Sequence, residues 1–148
     1  MGVAPNSVRV SRTIRADAER LFQAWTDPQG LLHWWRQEAE GWAFAGATID
    51  LRVGGHYRLA MTAPDGKVYA AVGVYREIER PVRLVFTWDW EESMRGVSDT
   101  LVTVDFKETG TNVTEVVVTH ERFTDPARMG RHEQGWTELL RLLERAVA

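Results

Sequence analysis

Four histidines, His33, His56, His120 and His132, are the side chains best suited to move protons near neutral pH. They form no HExxH pair and no cluster at zinc-site spacing, so no metal is expected. His120 shares its parity with Val116 and Val118, which places it on the apolar face of a strand. There it reads as a hydrogen-bonded structural histidine, with a ligand contact or an acid/base role as the alternative. His132 and Glu133 lie one helical turn before Trp136. If Glu133 turned inward, burial would raise its pKa and make it a candidate base; facing solvent, it would do neither.

Other reaction chemistries find little to work with. No G-x-S-x-G elbow is present, and Ser93 and Ser98 fall in an expected loop. Gly54-Gly55 leads into a strand, where a nucleotide-binding glycine loop would open a helix. With 0 Cys, thiolate zinc sites, iron–sulfur clusters, disulfides and a cysteine nucleophile are all excluded. No cofactor and no catalytic set is expected.

What the chain has in quantity is aromatic surface: 7 Trp, 3 Tyr and 5 Phe. Such residues fill cores, and the same types line apolar pockets. Trp88, Trp90, Tyr57 and Met61 should project from a sheet's apolar face, with Trp136 opposite them on a helix and Trp34 and Trp35 closing one end. Tyr57, His120 and Glu133 are the polar groups such a pocket would need, and Phe123 completes the candidate set. Trp25, Leu140 and Leu143 are read as core.

The elements that must position these residues follow from periodicity. Val8 to Ile14 alternates as a half-buried strand. Asp17 caps a helix with Ala18, Leu21, Phe22 and Trp25 on one face. Asp27-Pro28 starts a second, short helix carrying Leu31, Leu32, Trp34 and Trp35. From Ala47 the pattern is antiparallel: Ile49, Leu51 and Val53 alternate before the Gly54-Gly55 turn, then Tyr57, Leu59 and Met61. Pro64-Asp65-Gly66-Lys67 turns into a strand from Val68 to Ile78, ended by Arg80-Pro81. Strands through Leu84–Trp90, Val102–Phe106 and Val116–His120 follow. Asp125-Pro126 then opens a long helix with Met129, Trp136, Leu139, Leu140, Leu143 and Val147 on one stripe. Gly130 and Gly135 interrupt it, from a close approach to the sheet or a bound molecule or from a loose first half. A twisted sheet covered by this one helix should leave a hollow near the helix start.

Size and charge set the outer bounds. At 148 residues the chain suits one domain, 1–148, and 44% hydrophobic with 26% charged residues is ordinary for a soluble globular protein. A formal charge of −3 argues against nucleic acid as a partner. The N-terminus, Met1 to Ser7, lacks the pattern of a signal peptide, and no apolar run suggests a membrane span, so a cytoplasmic location is expected.

Ala24-Trp25-Thr26-Asp27-Pro28 with Trp34-Trp35, and Asp50-Leu51-Arg52-Val53-Gly54-Gly55-His56-Tyr57 after it, resemble stretches of the AHSA family. That family, the activator of Hsp-90 ATPase homologues, lies within the SRPBCC (START/Bet v 1-like) superfamily. Leu84-Val85-Phe86-Thr87-Trp88, Thr119-His120-Glu121-Arg122-Phe123 and Gly135-Trp136 with Leu140 follow in the same order, covering about Val8 to Leu143. The resemblance implies an α+β helix-grip fold: a curved antiparallel sheet around a long C-terminal helix, with two short helices after the first strand. It also implies a cavity between helix and sheet for a small apolar or aromatic molecule; a monomer or a homodimer is expected. Two other functions come with it, a polyketide cyclase or aromatase using a pocket acid/base, and an activator of a chaperone ATPase. The activator that names the family carries a separate N-terminal domain for which these residues leave no room.

Overall fold

The computed structural model describes residues 6–35, 41–91 and 100–147. Among them run, in order, β1 (Val8–Ile14), α1 (Ala18–Thr26), α2 (Pro28–Leu31), β2 (Ala43–Ile49), β3 (His56–Thr62), β4 (Val68–Glu79), β5 (Arg83–Trp90), β6 (Thr100–Gly110), β7 (Val113–Glu121) and α3 (Pro126–Val147). The strands form one antiparallel sheet in the order β1-β7-β6-β5-β4-β3-β2. From β2 to β7 each strand pairs with its sequence neighbour, the arrangement short turns favour. The α1–α2 pair carries the chain from one edge of the sheet to the other.

Register explains why one face is apolar. Val118 lies opposite Val104, and Val104 opposite Leu84; His120 lies opposite Val102, and Val102 opposite Phe86. All of these are buried, so inward positions recur at every second residue and align across strands. The α3 helix lies against β1, where Arg12 Nε donates to Glu144 Oε1 at 2.7 Å. That pair is half exposed and contributes at most about 1 kcal/mol, so apolar burial by Leu140, Leu142, Leu143 and Val147 holds the helix down.

Curvature comes from irregular pairing. The register shifts between Phe44 and Gly46 on β2 and between Tyr75 and Glu77 on β4, and such bulges bend a strand and raise its twist. Next to the second shift, a Cβ on Gly73 would lie 2.0 Å from the Thr87 carbonyl oxygen and 2.7 Å from the Tyr57 ring, so only glycine fits. Tyr57 Oη donates to the Thr87 carbonyl at 2.6 Å, and Thr87 Oγ1 accepts from the Val74 N–H. Side chains thus complete a ladder that the backbones leave open.

The caps expected at Asp17, Asp27 and Asp125 are present, each side chain accepting a backbone N–H of the first helical turn. Two local expectations are corrected. Helix α2 ends at Leu31, and Trp34 and Trp35 hang from an exit turn whose N–H groups return to the Leu31 carbonyl, while Leu32 is exposed. Strand β2 begins before Ala47 and ends at Ile49, where pairing with Tyr57 closes. Leu51 and Val53 lie exposed in the turn beyond, because the Gly54 N–H bonds to Tyr75 and the Gly55 N–H to Arg52, folding the chain back.

Candidate functional site

Beneath the N-terminal half of α3 the sheet and helix meet only in part, leaving a cleft of about 240 Å³. Its sheet wall is Met61 on β3, Tyr69 and Ala71 on β4, and Trp88 and Trp90 on β5. Antiparallel register sets Met61 opposite Tyr69 and Ala71 opposite Trp90, which gathers these side chains. The helix wall is Arg128, Arg131, His132, Gly135, Trp136 and Leu139, whose spacings of three, four and seven put them on one face. Trp35 from the α2 exit turn and Trp42 before β2 complete the lining.

Hydrogen bonds fix the polar groups around the cleft. Trp136 Nε1–H donates to His120 Nδ1 at 3.1 Å, so that nitrogen carries no proton. His120 Nε2–H therefore donates to Thr100 Oγ1 at 2.8 Å, and the threonine hydroxyl donates onward to the Trp88 carbonyl at 2.5 Å. Both ring nitrogens are thus engaged in a fully buried chain. Burial, with the neighbouring His132 adding to it, pushes the His120 pKa down to about 2, so the ring stays neutral near pH 7. A group so weakly basic and doubly occupied makes a poor general base.

His132 has the same logic one layer outward. Its Nδ1–H donates to the Arg128 carbonyl at 2.8 Å, and its Nε2 accepts from Trp90 Nε1–H at 3.1 Å. Burial lowers its pKa, the Arg128 carbonyl opposes that by holding the Nδ1 proton, and the positive Arg128 and Arg131 side chains push it further down. Phe123 is buried against both imidazoles, its ring 4.4 Å from His120 and 5.1 Å from His132.

Two indole groups stand apart. The Nε1 atoms of Trp35 and Trp88 are buried without a hydrogen-bond partner among the described residues, and both rings line the cleft. A buried donor left unpaired costs about 1–3 kcal/mol.

Of the expected site residues, the structure brings Trp35, Met61, Trp88, Trp90 and Trp136 to the cleft, with His120 and Phe123 packed behind. Three lie elsewhere. Trp34 is fully buried and donates to the Ala24 carbonyl. Tyr57 is held by Thr87 and borders a separate void of about 10 Å³, and burial, with Tyr75 and Asp89 adding to it, raises its pKa well above the usual phenol value. Glu133 is exposed on the outer side of α3, one position off the inward stripe. His33 and His56 are exposed as well, and Ser93 and Ser98 lie outside the described residues. Among the described residues no group of acidic, histidine or cysteine side chains could hold a metal ion.

Sequence reasoning missed Trp42, Tyr69, Arg128 and Arg131. The arginines had a usable signal, since they share a helical face with His132, Gly135 and Trp136. Gly130 and Gly135 are not explained by close approach to the sheet, because a Cβ on either would meet nothing within 4 Å.

The family model of the activator of Hsp90 ATPase homolog 1-like proteins matches residues 15–148. An AHSA1-like protein from Aeromonas hydrophila is 29% identical, with 95% of this chain and 92% of that one covered and a TM-score of 0.73. A protein from Chromobacterium violaceum is 25% identical, with 96% of each chain covered and a TM-score of 0.84. An AHSA1 protein from Silicibacter pomeroyi is 26% identical, covering 95% and 96%, with a TM-score of 0.81. No curated protein matches. The chain belongs to the AHSA1-like family and has its helix-grip, Bet v 1-like fold. No helix among the described residues is long and apolar enough to cross a membrane.

Proposed function

We propose that this AHSA1-like protein is a receptor for a small hydrophobic or aromatic molecule, held in the cleft between the sheet and the first half of α3. The observation that carries the reading is the wall itself: Trp35, Trp88, Trp90 and Trp136 border about 240 Å³ of space, in a fold whose relatives in general can take hydrophobic ligands. An apolar cavity of about 150 Å³ holds benzene, so this one suits a body of one or two fused rings. The indole of Trp136 is held by His120 and that of Trp90 by His132, so this part of the wall is set before a ligand arrives and binding costs little ordering.

Differential scanning with a panel of neutral one- and two-ring compounds tests the reading. The expected result is a melting temperature that climbs with ligand concentration and saturates in a parallel calorimetric titration. A flat response across the panel overturns it.

A further inference from the structure

We propose that the ligand is an anion, an aromatic carboxylate of one or two rings, with its ring against the tryptophans and its carboxylate at Arg128 and Arg131. This rests on the receptor reading and adds the ligand's charge and chemical class to it.

The first ground is a local inversion of charge. The chain carries 21 acidic against 18 basic residues, yet the charged side chains lining the cleft are Arg128 and Arg131, with no carboxylate among the described lining residues. The two arginines are three residues apart on α3 and so point the same way. Arg131 makes no ion pair among the described residues, and Arg128 has a contact to Asp125 at 3.7 Å, too long for a hydrogen bond. Two guanidinium groups that retain donors can each grip a carboxylate through paired N–H bonds.

The second ground is the balance of donors and acceptors. Trp35 and Trp88 bring indole N–H groups that are buried without a partner among the described residues, and the one accepting nitrogen of His132 is already taken by Trp90. With that nitrogen taken and both indole nitrogens sealed from the cleft's space, the charged groups left to a ligand are the two guanidinium groups, which suit acceptor oxygens. Indole walls alone also suit an organic cation. The arginines decide the sign, since they repel one. His132 adds no charge of its own at neutral pH, being held neutral by burial and by those same arginines.

Isothermal titration with 2-naphthoate, 2-naphthamide and 2-naphthylmethylamine tests the proposal, because the three share one ring system and differ in charge. Naphthoate should bind roughly ten-fold or more tighter than the amide, the amine weakest, and added salt should narrow the gap. Arg128→Gln with Arg131→Gln should bring naphthoate down to the amide's affinity while the amide still binds. Arg131→Gln alone, at an exposed position, should remove part of the preference without touching the Asp125 contact. Amide or amine binding as tightly as naphthoate overturns the inference and leaves the receptor reading standing. A naphthoate preference unchanged in the arginine variants overturns it too. If no ring probe binds, the receptor reading fails, and this inference with it.

Discussion

Beside the α2 exit turn, Trp34 lies 4.8 Å from Trp25 and 5.3 Å from Trp35, and Trp25 stacks on Trp136 at 6.2 Å, with Phe106 closing the other side. Across the sheet, Trp88 lies 5.7 Å from Trp90 and 5.2 Å from Trp136, and there the rings border open space. Both regions include indoles in edge-to-face or tilted contact, so residue type does not separate them. What separates them is what stands opposite. The first region has an inserted α1–α2 segment pushing bulk into the interior; the second has Ala71 and Gly135, which bring almost none. Aromatics fill a core where the chain supplies facing bulk and wall a cleft where it does not.

The sharpest way to break that comparison is to remove a ring from each region. Trp34→Ala should destabilise the fold by about 3–5 kcal/mol in a denaturant titration, because it leaves a large void in a fully buried cluster. Trp90→Ala removes a half-buried ring and one hydrogen bond and should cost about 1 kcal/mol, yet weaken ring-probe binding the more of the two. Equal losses of stability would mean that the two regions are packed alike.

Acid should act through the histidines behind the cleft. The folded pKa of His120, about 2, lies below the unfolded value near 6.5, so the unfolded chain takes up the proton first. Its stabilising contribution is complete above about pH 6.5 and declines as the pH falls toward the folded pKa, by about 2 kcal/mol at pH 5. His132 is displaced in the same direction and adds to the slope. His120→Gln should therefore flatten the dependence of unfolding free energy between pH 7 and 5, and an unchanged slope would show that His120 is not buried in its neutral form.

The smallest effects come from the two helical glycines. Gly130→Ala and Gly135→Ala should each stabilise α3 by about 0.5–1 kcal/mol, since the added methyl meets nothing and alanine favours the helix. Only Gly135 lines the cleft, so its alanine variant should also weaken ring-probe binding while Gly130→Ala leaves it alone. Matching effects on binding would move the site away from this stretch of helix.

Much of this architecture was readable beforehand. Period-two runs such as Val116–Val118–His120, and caps such as Asp17, Asp27 and Asp125, located strands and helix starts because they are local signals. The exceptions came partly from further along the chain: Leu51 and Val53 alternate like a strand, but the Gly54 bond to Tyr75, with the Gly55 bond to Arg52, makes a turn of them. The candidate site was half legible. Trp88, Trp90, Met61 and Trp136 were found from parity and helical stripe; Tyr57 and Trp34 obeyed the same patterns and were drawn into other contacts.

Sequence by itself determined the order of elements, their inward faces and the absence of thiol chemistry, because hydrophobic period and composition depend on neighbours a few residues away. Only the tertiary structure decided which tryptophans close on one another, which stand apart, and that Arg128 and Arg131 share their space with Met61 and Trp88. Those outcomes depend on distances between segments tens of residues apart, set by sheet curvature and by the bulk each facing element brings.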